Sequence, residues 1–283
     1  LEIRHLENTS LEDIVDCFNT AFADYLVPFQ AEVEPMRKRW LSCRVDYRLS
    51  YGAFEGDELV GFMITGVDEW QGMRTAYNAG TGVIPAYRGQ RLVQQLYDTA
   101  FPAFRAEGIG QCTLEVIVGN DRAIKAYERV GFKKVRTLKC YGKANFLPIR
   151  EKRKWTFKET VRPNWAAYAP FQTFPPSWEN TQRSVDIVGD DYSCWELYEA
   201  KVLIGYLLLR PQSAYVAQFG VADREDWLQI GQQLWQHALR IHSGMRINNV
   251  QAEARRLIAI LELAGLQNTV DQYEMSLRLD GVR

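Results

Sequence analysis

The stretch Thr81-Gly-Val-Ile-Pro-Ala-Tyr-Arg-Gly-Gln-Arg-Leu-Val-Gln-Gln-Leu96 constrains the fold more than any other part of the chain. An apolar strand end runs into a turn at Pro85 and an Arg-Gly loop. Leu92, Leu96, Ala100 and Phe104 then mark one face of a helix, with Pro102 as an expected distortion. A strand that passes through a glycine loop into a helix leaves unpaired backbone N–H groups at the positive end of the helix dipole. That geometry binds anions, and Arg88, Gly89 and Arg91 would suit it to a pyrophosphate. An Arg-Gly loop before a helix is also a common plain turn, so the surrounding pattern has to decide.

Residues 1–145 alternate strand-like and helix-like segments. Leu1 to Leu6 reads as a strand, Leu11 to Tyr25 as a helix capped by Ser10, and Pro35 to Val45 as a second helix. Leu49 to Phe54, Leu59 to Val67 and Arg74 to Val83 form a meander with turns at Gly56-Asp57 and Gln71-Gly72. Gln111 to Val118 is a strand, and Asn120 caps a helix that Gly131 ends. A closing strand is expected from Lys133. Residues 146–192 lose this pattern and interleave Pro163, Pro170, Pro175 and Pro176 with aromatic residues, a connector expected to pack rather than wander. From 193 to 283 the order of elements begins again. Gly82-Val83 matches Gly220-Val221, and Val130-Gly131-Phe132 matches Ala264-Gly265-Leu266, which points to an internal duplication.

Composition narrows the function classes. With 47% apolar and 12% aromatic residues, 283 positions can bury a large core, and the length fits either one big domain or two ordinary ones. A net charge of -1 gives no global reason to expect nucleic acid or an anionic membrane as partner. The apolar run Val202 to Leu209 is far shorter than the about 20 residues that cross a bilayer. Cys17, Cys43, Cys112, Cys140 and Cys194 lack disulfide or zinc spacing and read as reduced thiols of a cytoplasmic protein. His5, His237 and His242 have no ligand spacing either, so no metal is expected. The basic stretch 133–158 reads as a solvated face.

Val83, Pro85, Arg88 and Gly89, together with Thr113-Leu-Glu-Val116 and Asn120-x-x-Ala123-x-x-x-Tyr127-Glu-x-x-Gly131-Phe132, resemble the two ordered motifs of the GNAT superfamily of N-acetyltransferases. Arg91 and Val93 stand where that pattern has small residues, and a left-handed conformation at either would cost about 1–2 kcal/mol. The resemblance implies an α/β (α+β, mixed-sheet) acyl-CoA N-acyltransferase fold, duplicated. It implies a catalytic domain at 1–145, and 193–283 reads as a degenerate copy. It implies acetyl-CoA as co-substrate, without a metal, held at Thr81, Gly82, Val83, Arg88, Gly89, Gln90, Arg91, Leu92, Val93, Asn120 and Tyr127. The pantetheine arm would enter between splayed fourth and fifth strands, and the thioester carbonyl would meet an N–H near Val83.

The acceptor would be a small-molecule or peptide amine. Such an amine has a pKa of about 10.4 and must lose a proton before it attacks. Glu115 resembles the base position of relatives that acetylate protein N-termini, although a strand glutamate is as readily the solvated side of an amphipathic pattern. Tyr127 could protonate the departing sulfur, and Tyr25 is an acceptor-pocket candidate. In the second half, Ala254 and Leu261 replace Asn120 and Tyr127, and Asp223-Arg-Glu-Asp226 replaces the phosphate loop. That half would cover the acceptor side or form a homodimer surface. The alternative to an enzyme is a catalytically idle acyl-CoA-binding sensor or scaffold module.

Overall fold

The computed structural model describes residues 1–24, 30–142, 155–242 and 244–279. It has the expected α/β architecture with mixed sheets, in two compact units: Leu1–Val135 with Tyr273–Arg283, and Arg136–Gln272.

The first unit opens with β1 (Glu2–His5), α1 (Leu11–Phe22) and α2 (Val33–Ser42), followed by the meander β2 (Tyr51–Glu55), β3 (Glu58–Trp70) and β4 (Met73–Val83). Next come α3 (Leu92–Ala106), β5 (Gln111–Ile117), α4 (Asp121–Val130) and the first residues of β6 (Lys133–Gly142). Strands β1 to β4 pair antiparallel in order, and β5 joins β4 in parallel. The Ser10 side chain accepts the Asp13 N–H to start α1, which buries Ile14, Phe18 and Ala21. Asn120 does the same for α4 through the Ala123 N–H, and Gly131 ends that helix at φ 112°. Helix α3 runs on through Pro102, which lies on the exposed face, away from the buried stripe Leu96, Ala100 and Phe104.

In the second unit β6 continues, followed by β7 (Thr156–Thr160), α5 (Trp165–Tyr168), α6 (Gln182–Ile187), β8 (Ser193–Glu199), β9 (Val202–Arg210) and β10 (Tyr215–Val221). It is completed by α7 (Trp227–Ile241), β11 (Arg246–Gln251), α8 (Arg255–Leu263) and the start of β12 (Gln267–Arg278). Its sheet runs β6-β11-β10-β9-β8-β7. The aromatic segment expected to connect two domains belongs to this unit from Trp155 on. Tyr168 stacks on Tyr206 at 4.1 Å, as Phe18 stacks on Phe62 at 5.8 Å in the first unit. Gly220 faces Phe171 and Tyr206, just as Gly82 faces Ala21 and Phe62. Helix α5 and the 3-10 turn after it thus fill in the second unit the place that α1 fills in the first.

The end of β12 departs from the order that the sequence suggests. Tyr273–Arg278 belongs to the first unit and lies beside β5. Met275, Leu277 and Leu279 enter the core of Phe104, Leu114 and Val130. Thr113 Oγ1 donates to the Met275 carbonyl at 3.1 Å, and the Leu279 N–H donates to the Gly110 carbonyl at 3.0 Å. A sequence reading that closes the first domain with the strand from Lys133 misses this, because alternation marks the buried face of a strand and is silent about its neighbour.

Candidate active site

Strands β4 and β5 pair only at Thr75↔Gln111, Ala76↔Cys112 and Tyr77↔Thr113. Beyond that point β4 continues to Val83 and β5 to Ile117 without pairing to each other, so a gap opens between their inner edges. A β-bulge sits where they part: Thr65 pairs with Asn78 and Ile64 with Gly80, which leaves Ala79 unpaired. The extra residue bends β4 and turns Gly80 and Gly82 toward α1. A Cβ at Gly82 would come within 3.0 Å of Phe62 and Ala21, so this strand lies hard against that helix.

The gap leads into a cleft of roughly 2200 Å³, counting its open mouth. Its lining gathers Thr81, Gly82 and Val83 from β4, then Arg88, Gly89, Arg91, Leu92 and Val93 from the loop and first turn of α3. Asn120 and Tyr127 line it from the side of α4. Gln90 is not part of the lining; its carbonyl accepts from Gln95 Nε2 at 2.9 Å. Tyr25 lies outside the described residues.

Gly89 has φ 85° and Arg91 has φ 58°, so the loop makes two left-handed steps before α3 starts. Arg91 is the N-cap of α3 and offers its first turn no side-chain acceptor, unlike Ser10 and Asn120 at their helices. The positive end of α3 therefore faces the cleft beside the Arg91, Arg122 and Arg129 side chains, a setting for an anion.

Arg88 serves otherwise than a phosphate-binding role requires. Its Nε donates to the Val83 carbonyl at 3.0 Å and Nη2 to the Ala21 carbonyl at 2.8 Å. Its two terminal nitrogens also grip the Asp24 carboxylate at 2.5 and 2.7 Å. Hydrogen bonding to Arg88 holds the Asp24 carboxyl down at about 2. Arg88 ties the loop to β4 and α1, while Arg122 and Arg129 face the cleft. Sequence reading passed over those two, although their i, i+7 spacing places them on one face of α4.

Tyr127 and Glu115 do not share a cavity wall. Tyr127 lines the cleft, stands edge-on to Phe132 at 5.9 Å, and its hydroxyl lies 3.4 Å from Asn78 Nδ2. Glu115 is absent from the lining and alternates with Leu114 and Val116, which face the α3 and α4 core. Its carboxylate accepts the Tyr77 hydroxyl at 2.6 Å, at the last paired rung of β4 and β5. The two groups thus approach the gap from opposite faces of the sheet. Asn78, which sequence reading also passed over, is one of several polar residues in β4, and only its place beside the bulge marks it.

The cysteines offer no nucleophile. All five are buried thiols and none lines the cleft. Burial pushes Cys17 and Cys194 up to about 12 and raises Cys112 further. Among the described residues no cluster of His, Cys, Asp or Glu could hold a metal ion, and no helix is long and apolar enough to cross a membrane.

The second unit repeats the strand geometry and fills it. Strands β10 and β11 pair only at Tyr215↔Arg246 and Val216↔Ile247, with a bulge at Ala217. Gln218 Nε2 donates to the Asn180 carbonyl at 2.5 Å, and Asn180 Nδ2 donates to the Asn248 carbonyl at 3.3 Å, so the chain's own segment bridges the gap. Ala254, at the N-cap of α8, makes no side-chain cap bond, and Leu261 is core. Asp223 pairs with Arg256 and Asp226 with Arg224, which puts carboxylates at the start of α7, where the first unit presents guanidinium groups.

Residues 11–132 match the model of the acetyltransferase (GNAT) family. An N-alpha-acetyltransferase 30 from Schizosaccharomyces pombe is 29% identical over 93 residues, which cover 32% of this chain and 62% of that protein. A tandem GNAT protein from the clavulanic acid biosynthesis pathway superposes with a TM-score of 0.70 at 13% identity, covering 100% of this chain and 99% of that one. A GCN5-related N-acetyltransferase from Sphaerobacter thermophilus gives a TM-score of 0.70 at 15% identity, with 98% and 95% coverage. At these identities the solved structures speak for the fold, here a duplicated one.

Proposed function

Because residues 11–132 match the acetyltransferase (GNAT) family model, we propose that the first unit binds acetyl-CoA in the cleft and transfers the acetyl group to a primary amine by direct attack. The observation that carries this reading is the parting of β4 and β5 beside the uncapped, arginine-flanked start of α3. Two strand edges without a mutual partner suit an amide-bearing arm that pairs with backbone. The start of α3 with Arg91, Arg122 and Arg129 suits the pyrophosphate.

In this reading the acceptor ammonium first gives a proton to Glu115, whose carboxylate is oriented by Tyr77. The amine nitrogen then attacks the thioester carbon, the C–N bond forms, and the C–S bond breaks with its electron pair on sulfur. Tyr127 protonates that sulfur, the second proton on the nitrogen leaves to water as the amide forms, water restores the Tyr127 hydroxyl, and the proton on Glu115 passes to solvent. A thiol intermediate has no support, since the cysteines stand outside the cleft. The chain spans 62% of the length of its N-alpha-acetyltransferase relative, and a peptide amine is among the proposed acceptors on the strength of that likeness.

The test is calorimetric binding of acetyl-CoA, then thiol release over a panel of small amines, aminoglycosides and peptides. Binding with release on at least one acceptor is expected. Tight binding with no release on any would favour the idle acyl-CoA-binding module, a reading helped by the absence of Glu115 from the cleft lining. Absence of binding would sink both.

Replacing Arg91 by Gly separates two effects. Relief of the left-handed strain is expected to stabilise the protein by about 1 kcal/mol, net of the entropy glycine adds to the unfolded chain. Loss of the guanidinium is expected to weaken acetyl-CoA binding. A higher melting temperature with unchanged affinity would remove Arg91 from the phosphate site.

A further inference from the structure

We propose that Asn78 is a positioning residue for this transfer, aiming the Tyr127 hydroxyl proton into the cleft; the proposal rests on Tyr127 acting as the acid. Asn78 is the last paired residue before the bulge at Ala79. Its Oδ1 accepts the Gly80 N–H at 2.9 Å, and a backbone donor at that oxygen fixes which end of the amide is which. The Nδ2 end therefore faces Thr81 Oγ1 at 2.8 Å, the Tyr97 hydroxyl at 2.9 Å and the Tyr127 hydroxyl at 3.4 Å.

An amide NH2 only donates, so each of these oxygens turns a lone pair toward Asn78 and its own proton elsewhere. For Tyr127, which lines the cleft, elsewhere includes the side where the sulfur departs. Two hydrogens serve three oxygens, and Tyr127 has the longest contact, so its hydroxyl is oriented without being held tightly. Burial raises Tyr97 well above the usual tyrosine range, so it stays a neutral hydroxyl and does not compete as a base. When sulfur takes the proton, the same N–H stabilises the phenolate left on Tyr127 until water reprotonates it.

The test is a double-mutant cycle in the full chain with the best acceptor from the panel. Asn78→Asp keeps the shape but presents an acceptor, which draws the tyrosine protons to itself; kcat is expected to fall at least about tenfold with the KM for acetyl-CoA within about twofold. Asn78→Ala removes the donor without adding an acceptor, and a smaller fall is expected. In a Tyr127→Phe background neither change should slow turnover further. Equal losses in both backgrounds, or an Asn78→Asp enzyme with normal kcat, would overturn the proposal. If Tyr127→Phe itself turns over normally, the acid role fails first and the positioning role with it.

Discussion

Truncation after Gln272 is expected to abolish acetyl transfer while leaving every residue of the cleft in the chain. The lost segment carries Met275, Leu277 and Leu279, which are 0%, 7% and 2% exposed in the core of the first unit. Cutting one buried Leu or Met back to Ala costs about 2–5 kcal/mol. Losing all three side chains, the strand beside β5 and the partners of Thr113 and Gly110 would consume the about 5–15 kcal/mol that holds a domain folded. A chain ending at Leu279 is the control. The measurement is the melting curve of each, with hydrogen exchange of β5 and thiol release. A chain ending at Gln272 that still melts cooperatively and turns over at the control rate would refute the role assigned to β12.

Tyr127→Phe is expected to lower kcat by about a hundredfold with little change in the KM for acetyl-CoA. The ring still packs edge-on to Phe132, so the fold is spared and only the hydroxyl is removed. A matching loss of melting temperature would instead mean that the Asn78 contact matters for stability alone. Unchanged kcat would pass the proton to water and end the acid assignment.

Local chemistry made much of this molecule legible from sequence. Asn120 caps α4 and Gly131 ends it in the left-handed region because short-range sterics and hydrogen bonding decide both. The α3 stripe follows from a period of 3.6. What stayed hidden depended on distant partners. Arg88 reads as a phosphate ligand until Asp24 and the Ala21 carbonyl, far back in the chain, are seen to hold it. The aromatic connector reads as a break in pattern because Tyr168 and Phe171 find their place against Tyr206, a residue the local pattern does not point to. Arg91 keeps the motif's backbone shape with the wrong residue type, a conflict that the sequence flags and the φ of 58° bears out.

The placement of β12 also bears on the order in which the protein is made. Synthesis delivers residues 1–135 well before the strand that completes their core. Contacts between Thr113 and Met275 close a loop of well over a hundred residues, the kind of distant pairing that slows folding. The second unit has its elements in hand earlier and can fold while the first still waits with an open edge at β5. A nascent chain stalled before Met275 would therefore be vulnerable in residues 1–135, and a protease added during translation should cut there until β12 has emerged.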